Sequence, residues 1–333
     1  MKLLYLSCHG VLEYDELRIF SELGIDVFSH GCYANPTIAG EYKRGKVNLK
    51  FHTDLFNLSV AYGKENLHQN MIDWADVIVV MHRVDWISAN WEKMKKKRVI
   101  LRTIGQSSLN TEHLIKPYRN EGLEIVRYSP RERTIPDYQG GDAIIRFGKD
   151  PDEFKDWIGN DPAVLTIGQS MFDRKDFCNY WTFVRATEGF KRYLHGTPSK
   201  EKDPLYSGEL TYSELKQKLR EVRVYFYTGT FPASYTLNFT EALMTGTPIV
   251  AIGPHLGNSP YEFGQNTFEI PDIINNGVNG FCTDDPVEQT MFIQRLMDDD
   301  DLARSISAEG RKTAIELFDQ KKIKKQWKEY LHV

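Results

Sequence analysis

Short apolar runs alternate with helical patterns from the first residues of the chain. Leu3–Ser7 and Ile25–Ser29 are strand-like, and between them apolar side chains recur at helical spacing until Gly24 closes the segment. This order predicts a βαβ unit at the start of a parallel sheet.

The same alternation continues to about residue 150. Three further runs are largely apolar: Asp76–Met81, Val99–Ile104 and Gly122–Tyr128. Continuous apolar strands suit a parallel sheet that is covered by helices on both faces. We therefore expect a first Rossmann-like domain at residues 1–150, with a linker in the acidic, turn-rich stretch 148–162.

A second series of strands and helices follows the linker. Its strand-like runs are Ala163–Ile167, Arg223–Tyr227 and Pro248–Ile252, and the helix between the first two begins with capping-box spacing at Thr211. We expect an α/β fold with a second Rossmann-like domain at 151–333, whose last helix crosses back to the first domain. Ligands of such folds bind at the carboxyl ends of the strands, here in a cleft that the two domains face.

Composition narrows the range of functions. The 333 residues are 41% hydrophobic and 26% charged, and the formal charge of −4 gives no general reason to bind polyanions. The four cysteines form no C-x-x-C pair, and no run of about 18 apolar residues is present. We expect a cytoplasmic protein, with peripheral contact at the inner membrane face as a further option.

One candidate site is the turn that follows the run Arg223–Tyr227. This turn feeds directly into a helix that carries Glu241. Backbone N–H groups at a helix start favour phosphate, and a carboxylate one turn further along can accept hydrogen bonds from two neighbouring hydroxyls, as on a ribose. The alternative is that Glu241 only complements the helix dipole.

A second candidate follows the run Ala163–Ile167. Gly168 and Gln169 open a turn that places the cations Arg174 and Lys175 near the same sheet edge. These cations can neutralise a diphosphate, or they can belong to a solvated face.

Several motifs, in order over half of the chain, resemble the retaining family-4 glycosyltransferases ("glycosyl transferases group 1"), whose two-Rossmann fold is called GT-B. The matching stretches are EALMTGTPIVA at 241–251, PDIINNGVNGF at 271–281, IIRFGKDPDEF at 144–154, and the closing helices at 298–318. The third of these looks like the interdomain motif Ile-Pro-Asn-Gly-Val-Asp of the family.

The resemblance implies a role for each residue of the candidate site. Glu241 matches the second Glu of the family motif E-x7-E, which holds the nucleotide ribose, and Thr236 and Leu237 match positions whose N–H groups meet the phosphates. Arg174 or Lys175 takes the role of the catalytic Lys, which stabilises charge on the departing diphosphate. The remaining donor-binding candidates in this domain are Tyr235, Gly168 and Gln169, the last of which stands where the family usually has Arg.

The chain also departs from the family pattern. Ala233 occupies the position of the first Glu of E-x7-E, which contacts the donor sugar, and its methyl group cannot accept a hydrogen bond. Thr236 replaces the usual Gly, and segment 168–208 is shorter than in the family, which predicts that a strand-helix unit is lost or remodelled. The sugar therefore does not follow from the resemblance.

The resemblance implies further site residues in the first domain. His9 and Gly10 look like the glycine-rich first loop that approaches the donor phosphate, and His82 matches a position where a His often points towards the donor sugar. Gln106 lies in a loop that we expect to bind acceptor or donor. His255, in the second domain, is a further candidate for the site.

Two charged runs allow other functions. Lys93–Arg98, close to Trp86 and Trp91, can dock on an anionic membrane or form a solvated helix end. The acidic run Asp298–Asp301 resembles a metal site, but it matches a helix connection of the GT-B fold, so we expect no metal.

The expected function is metal-independent transfer of a sugar, with retention, from a nucleotide-diphosphate donor linked to UDP or GDP. No cofactor is expected beyond this co-substrate. The expected acceptor is a glycan or a lipid carrier; nucleic acid is not indicated, and a modified DNA base stays open. The alternatives are a GT-B sugar-nucleotide epimerase and a nucleotide-sugar-binding protein that has lost catalysis.

Overall fold

A computed structural model describes residues 1–36, 44–258 and 265–333. The chain divides into two compact units, residues 1–148 with 320–333, and residues 149–319. The division falls at Gly148, two residues before the boundary that the sequence predicts.

Unit 1 is a parallel α/β domain. Its elements up to residue 144 are β1 (Lys2–Leu6), α1 (Gly10–Glu22), β2 (Asp26–His30), α2 (Thr53–Ala61), α3 (Gln69–Trp74), β3 (Val77–Met81), α4 (Val84–Met94), β4 (Arg98–Arg102), α5 (Leu109–Asn120), β5 (Glu124–Arg127), a 3₁₀ helix (Pro130–Thr134) and β6 (Ala143–Ile144). The strands lie in the order β2-β1-β3-β4-β5-β6, and all described pairings are parallel. Every residue of β3 is buried, which is why its sequence is apolar throughout.

Unit 2 has the same layered plan. Its elements are β7 (Asp161–Ile167), α6 (Tyr180–Ala186), β8 (Arg192–His195), α7 (Tyr212–Glu221), β9 (Val222–Tyr227), α8 (Leu237–Thr245), β10 (Ile249–Ile252), α9 (Pro254–Gly257), α10 (Ile270–Ile273), β11 (Phe281–Thr283), α11 (Pro286–Asp298) and α12 (Asp300–Phe318). The strand order is β11-β10-β9-β7-β8. The described part of segment 168–208 therefore contains one helix and one edge strand.

The final helix, α13 (Gln320–Leu331), belongs to unit 1. Its apolar face buries Ile323, Trp327 and Leu331, and the Trp327 ring packs edge-on against Phe20 with 5.2 Å between ring centroids. This burial of large side chains against α1 explains why the end of the chain returns to the first domain.

The aromatic residues beside the Lys93–Arg98 run lie in the core of unit 1. Trp86 and Trp91 are both nearly fully buried, so they form no exposed aromatic surface beside the lysines. The Lys93 ammonium donates to Asn66 and to the carbonyl of Leu67. Of the two options for this run, membrane docking would therefore involve the lysines without these tryptophans, because apolar packing takes both rings inward.

Candidate functional site

The loops of unit 2 that follow β7, β8, β9 and β10 emerge at one edge of the sheet. This edge is common to the strands because all their described pairings are parallel. The loops also contact one another: Ser170 N–H donates to the Thr197 carbonyl at 3.0 Å, and Phe231 N–H donates to the Phe177 carbonyl at 2.8 Å. The residues that the sequence predicts for donor binding in this domain all lie on these loops or on the helix that follows.

Helix α8 begins at this edge without a side-chain cap. Thr236 is its N-cap residue, but the Thr236 hydroxyl lies 3.3 Å from the Tyr227 hydroxyl and bonds none of the N–H groups of the helix. The N–H groups of Leu237 and Asn238 donate to no other residue in the described part of the chain. The first turn therefore presents two backbone donors and the positive end of the helix dipole.

The N–H group of Thr236 is not one of these donors. It bonds the Tyr227 hydroxyl at 3.0 Å, and Tyr227 is buried with its ring stacked on Phe268. Burial raises the pKa of Tyr227, which keeps the phenol protonated. The Thr236 N–H is therefore already bonded within the protein. Phosphate binding at this helix start stays a prediction, for which Leu237 and Asn238 have the N–H groups that bond no other described residue.

The side chain of Asn238 fixes the helix start over the end of β7. Its Nδ2 donates to the Ile167 carbonyl at 2.7 Å. Two residues further along, the Gln169 carbonyl lies 3.4 Å from Arg174 Nη1. Because two residues span at most about 7 Å, the Arg174 guanidinium and the start of α8 lie at the same strand end.

Arg174 and Lys175 are half-buried cations in the turn after β7. Neither forms an ion pair with a carboxylate in residues 1–36, 44–258 and 265–333. The Lys175 ammonium lies 4.8 Å from the centroid of the Phe172 ring. Two cations that form no ion pair with a described carboxylate therefore lie in the turn beside an uncapped helix start.

Gly168 and Gln169 shape the backbone of this turn. The Gly168 N–H donates to the His195 carbonyl at 2.9 Å, and a Cβ on Gly196 would lie 2.2 Å from the Gly168 oxygen, so Gly196 allows a close approach of the two loops. Gln169 Oε1 accepts from the Thr197 N–H at 2.8 Å. The Gln169 side chain is therefore held against the loop that follows β8.

Ala233 and Tyr235 lie in the buried turn between β9 and α8. The Ala233 methyl group is 3% exposed, and the Tyr235 ring packs edge-on against Phe318 with centroids 5.3 Å apart. Tyr235 thus contributes to the core of unit 2 through its ring. The prediction that Tyr235 helps to bind the donor therefore concerns only its backbone groups, because its ring is packed in the core.

The carboxylate of Glu241 is buried and ion-paired. Its Oε1 accepts from Lys149 Nζ at 2.8 Å, and the two side chains are 2% and 1% exposed. The sequence therefore predicts that the carboxylate lies on a helix, but it does not predict that Lys149 is its ion-pair partner. The role of Glu241 as acceptor for ribose hydroxyls stays a prediction.

In unit 1, three of the predicted residues lie on neighbouring strand ends. Gly10 is the first residue of α1, and the Nδ1 of His9 accepts from the Leu12 N–H at 3.4 Å, which caps the helix. His82 directly follows β3, the neighbour of β1 in the sheet. The structure thus brings His9 and His82 to the same edge, although the His9 ring is used as a helix cap.

His82 has an unusual backbone conformation. Its φ is 62°, in the left-handed region that costs energy for a residue with a Cβ. Burial lowers the pKa of the imidazole, with Arg83 adding to the effect, so the ring is neutral near pH 7. The imidazole makes no hydrogen bond to other parts of the described chain, which leaves both ring nitrogens for a ligand.

Gln106 is exposed on a loop that buried charges hold in place. Glu132 accepts from the hydroxyl groups of Thr103 and Ser107 at 2.8 and 3.0 Å, on either side of Gln106. Arg127 lies 3.4 Å from the same carboxylate. The Gln106 amide itself bonds no side chain or backbone group that the structure describes, so a rigid loop presents it.

His255 stays a prediction on the helix after β10, whereas the acidic run has structural roles. His255 is exposed on α9, and its backbone N–H donates to Asp284 at 2.9 Å. In the acidic run, Asp299 caps α12 through the Leu302 N–H, and Asp300 pairs with Arg223. Within the ranges that the structure describes, no cluster of three His, Cys, Asp or Glu side chains is arranged to hold a metal.

Sequence reasoning missed three residues of this site. Tyr227 and Asn238 bind backbone groups of neighbouring loops, and such contacts leave no sequence signal. Lys149 had a signal: it stands where the interdomain motif of the resembled family has the apolar residue Val. A cation at an apolar position indicates a buried carboxylate partner.

The comparisons with known proteins agree with this architecture. The chain is similar to a sucrose-phosphate synthase from Thermosynechococcus elongatus, with 14% identity, TM-score 0.70, and coverage of 100% of this chain and 98% of the other. It is similar to HepE from Anabaena in complex with UDP-glucose, with 15% identity, TM-score 0.68, and coverage of 100% and 99%. A glycosyltransferase from Rickettsia africae ESF-5 matches with 14% identity, TM-score 0.68, and coverage of 99% and 98%.

These structural neighbours confirm the GT-B fold that the motifs predict. At such identities the likeness concerns the fold. No protein-family model matches the sequence, and no curated protein matches it. None of the helices in the described ranges is both long enough and apolar enough to span a membrane.

Proposed function

We propose that the protein is a glycosyltransferase that binds a nucleoside diphosphate sugar at the start of α8. One observation carries the proposal: the uncapped N–H groups of Leu237 and Asn238 lie at the same strand end as Arg174 and Lys175, which have no acidic partner in the described chain. Backbone donors and cations together suit a diphosphate. The GT-B fold and a neighbour that binds UDP-glucose favour a UDP-linked sugar over a GDP-linked one.

In the proposed reaction, the bond between the anomeric carbon of the sugar and the diphosphate oxygen breaks. The acceptor hydroxyl oxygen forms the new bond to that carbon, and its proton passes to the departing diphosphate. Arg174 and Lys175 stabilise the negative charge that develops on this leaving group. His82 and Gln106 are proposed to contact the sugar or the acceptor, because both side chains are presented at the carboxyl edge of the sheet of unit 1.

We further propose that the transfer retains the anomeric configuration and requires no metal or cofactor. The acceptor is proposed to be a glycan or a lipid-linked sugar. Retention is tested by the anomeric coupling constant of the product in a proton NMR spectrum. Metal independence is tested by the rate in excess EDTA, which is expected to equal the rate without it.

The binding step is tested by thermal unfolding of the whole protein with UDP, GDP, ADP, CMP and dTDP. A ligand at about 100 times its dissociation constant stabilises the native state by about 2.7 kcal/mol, so one nucleotide is expected to raise the unfolding temperature clearly. The transfer step is then tested by release of that nucleotide from its glucose conjugate when glycan or lipid-linked acceptors are added. Absence of any shift with all five nucleotides contradicts the proposal.

A second candidate is a nucleotide-sugar-binding protein that does not transfer the sugar. The buried methyl group of Ala233 favours it, since this position offers no acceptor for the hydroxyl groups of a donor sugar. The two candidates differ in one measurement. The binding protein shows a thermal shift with a nucleotide but releases none from the sugar conjugate with any acceptor.

A further inference from the structure

The buried ammonium of Lys149 lies 2.8 Å from the carboxylate of Glu241, which the sequence predicts to bind the ribose of the nucleotide. Lys149 is the first residue of unit 2, and its backbone is fixed there, because its N–H donates to the Phe318 carbonyl at 2.8 Å. Its ammonium lies 5.8 Å from the centroid of the buried Phe154 ring. The position of the ammonium is therefore set by the core of unit 2.

Glu241 lies one turn into α8. The Cα–Cβ bonds of a helix are tilted towards its N-terminus, so the Glu241 side chain starts in the direction of the helix start. Its backbone lies about 6 Å along the helix axis from that of Leu237, whose N–H is proposed to bind the diphosphate. The ribose hydroxyls of a nucleoside diphosphate lie close to its phosphates. A hydroxyl group donates best to an ionised carboxylate, and a buried carboxylate is unfavourable without a cation.

We propose that Lys149 is a positioning residue, which holds the Glu241 carboxylate ionised and correctly oriented to accept the ribose hydroxyls of a nucleoside diphosphate. The inference rests on the proposed function and adds a residue to it. Lys149 does not touch the nucleotide; it acts through the 2.8 Å contact with Glu241 Oε1. The consequence is selectivity for a ribose that carries both hydroxyl groups.

The experiment compares the affinities of the whole protein for UDP and for 2′,3′-dideoxy-UDP by isothermal titration calorimetry. A hydrogen bond to a charged group contributes about 1.5–3 kcal/mol, so the native protein is expected to prefer UDP by about tenfold or more. In Lys149→Met this preference is expected to fall to about twofold or less, while the affinity for dideoxy-UDP changes little. A general loss of structure lowers both affinities alike, so the ratio separates positioning from folding.

Two more variants make the test decisive. Lys149→Gln keeps a neutral donor beside Glu241 and is expected to show an intermediate ratio; it decides the question if Lys149→Met does not fold. Lys216→Met removes a different ion pair of unit 2, with Glu153 at 3.2 Å, and is expected to keep the full preference.

Three results overturn the inference, and they differ from one another. If the folded Lys149 variants keep the native preference, Lys149 has no positioning role, although the proposed function stands. If the native protein binds UDP and dideoxy-UDP equally, Glu241 does not hold the ribose. If the native protein binds neither, the proposed function itself fails.

Discussion

Lys149 Nζ donates to Glu241 Oε1 across 2.8 Å, and both side chains are almost completely buried in unit 2. The pair joins the first residue of the unit to the helix whose start is the candidate diphosphate site. The charge that the sequence places on this helix is therefore matched inside the protein before any ligand binds.

The ion pair predicts that the two single variants are each less stable than the variant that lacks both residues. Glu241→Leu and Lys149→Met each remove one member of the buried ion pair, and each is expected to lower the free energy of unfolding by about 3–5 kcal/mol. The double variant Lys149→Met/Glu241→Leu is expected to recover most of this loss, because two apolar side chains replace the pair. Urea denaturation followed by circular dichroism measures the effect. Additive losses in the double variant would show that the two residues are not coupled.

The start of α8 allows a backbone donor to be removed by mutation. Leu237→Pro deletes the N–H group at the first helical position, where proline is tolerated, and Thr236 already has the extended backbone that a following proline requires. The affinity for UDP is expected to fall about tenfold, since one hydrogen bond to a phosphate is lost. Leu237→Ala keeps the N–H group and is the matched control. Equal affinities of the two variants, measured by calorimetry, would exclude this N–H as a ligand.

The strained backbone of His82 predicts opposite effects on stability and activity. His82→Gly removes the Cβ from a residue with φ of 62° and is expected to raise the free energy of unfolding by about 1 kcal/mol. The same change removes the imidazole and is expected to lower the rate of sugar transfer. Asp156→Gly, at another position with φ of 62°, is the control that gains stability without losing activity. A His82→Gly protein with unchanged transfer rate would remove His82 from the site.

Three histidines that are partly or fully buried predict a loss of stability in mild acid. Burial lowers the pKa of His30, His82 and His195 below the ordinary value of 6.5. Below pH 6.5 the unfolded chain therefore binds protons that the folded chain does not. Stability is complete above that pH and falls as the pH drops towards the folded pKa values, by at most about 1.4 kcal/mol per pH unit for each histidine.

This pH dependence is measured as the urea midpoint at pH 7.5 and at pH 5.5, where the ordinary carboxylates stay ionised. The midpoint is expected to be lower at pH 5.5. His195→Asn is expected to reduce the difference between the two midpoints, whereas His332→Asn, at an exposed position, is expected to leave it unchanged. Identical midpoints for the native protein at both pH values would contradict the account.

The long strands could be predicted from the sequence because they are buried on both faces. The run Asp76–Met81, which is predicted as a strand, corresponds to β3, which begins one residue later at Val77. The short edge strands β6, β8 and β11 were not predicted: β8, with the sequence RYLH, has only one aliphatic side chain and only one strand partner. A strand of this kind depends on the ladder hydrogen bonds of its neighbour, which are tertiary contacts without a local pattern.

The candidate site could be predicted in part. The motif around Glu241 predicts a helix, which is α8, and the order of strands and turns predicts the sheet edge at which Arg174 lies. The sequence could not show that the N–H group of Thr236 is already bonded, because its acceptor is the hydroxyl of Tyr227, nine residues earlier in the chain. The partner of Glu241 lies 92 residues away in the sequence, which places it beyond any local pattern.

The most direct test of the central claim is calorimetric titration of the protein with UDP, compared with the double variant Arg174→Ala/Lys175→Ala. The control is Arg304→Ala/Lys312→Ala, which removes two exposed cations from α12. UDP is expected to bind the native protein and the control equally and to bind the double variant at least about tenfold more weakly, because two cations beside the diphosphate are lost. Equal binding to all three proteins, or no binding to the native protein, would contradict the claim.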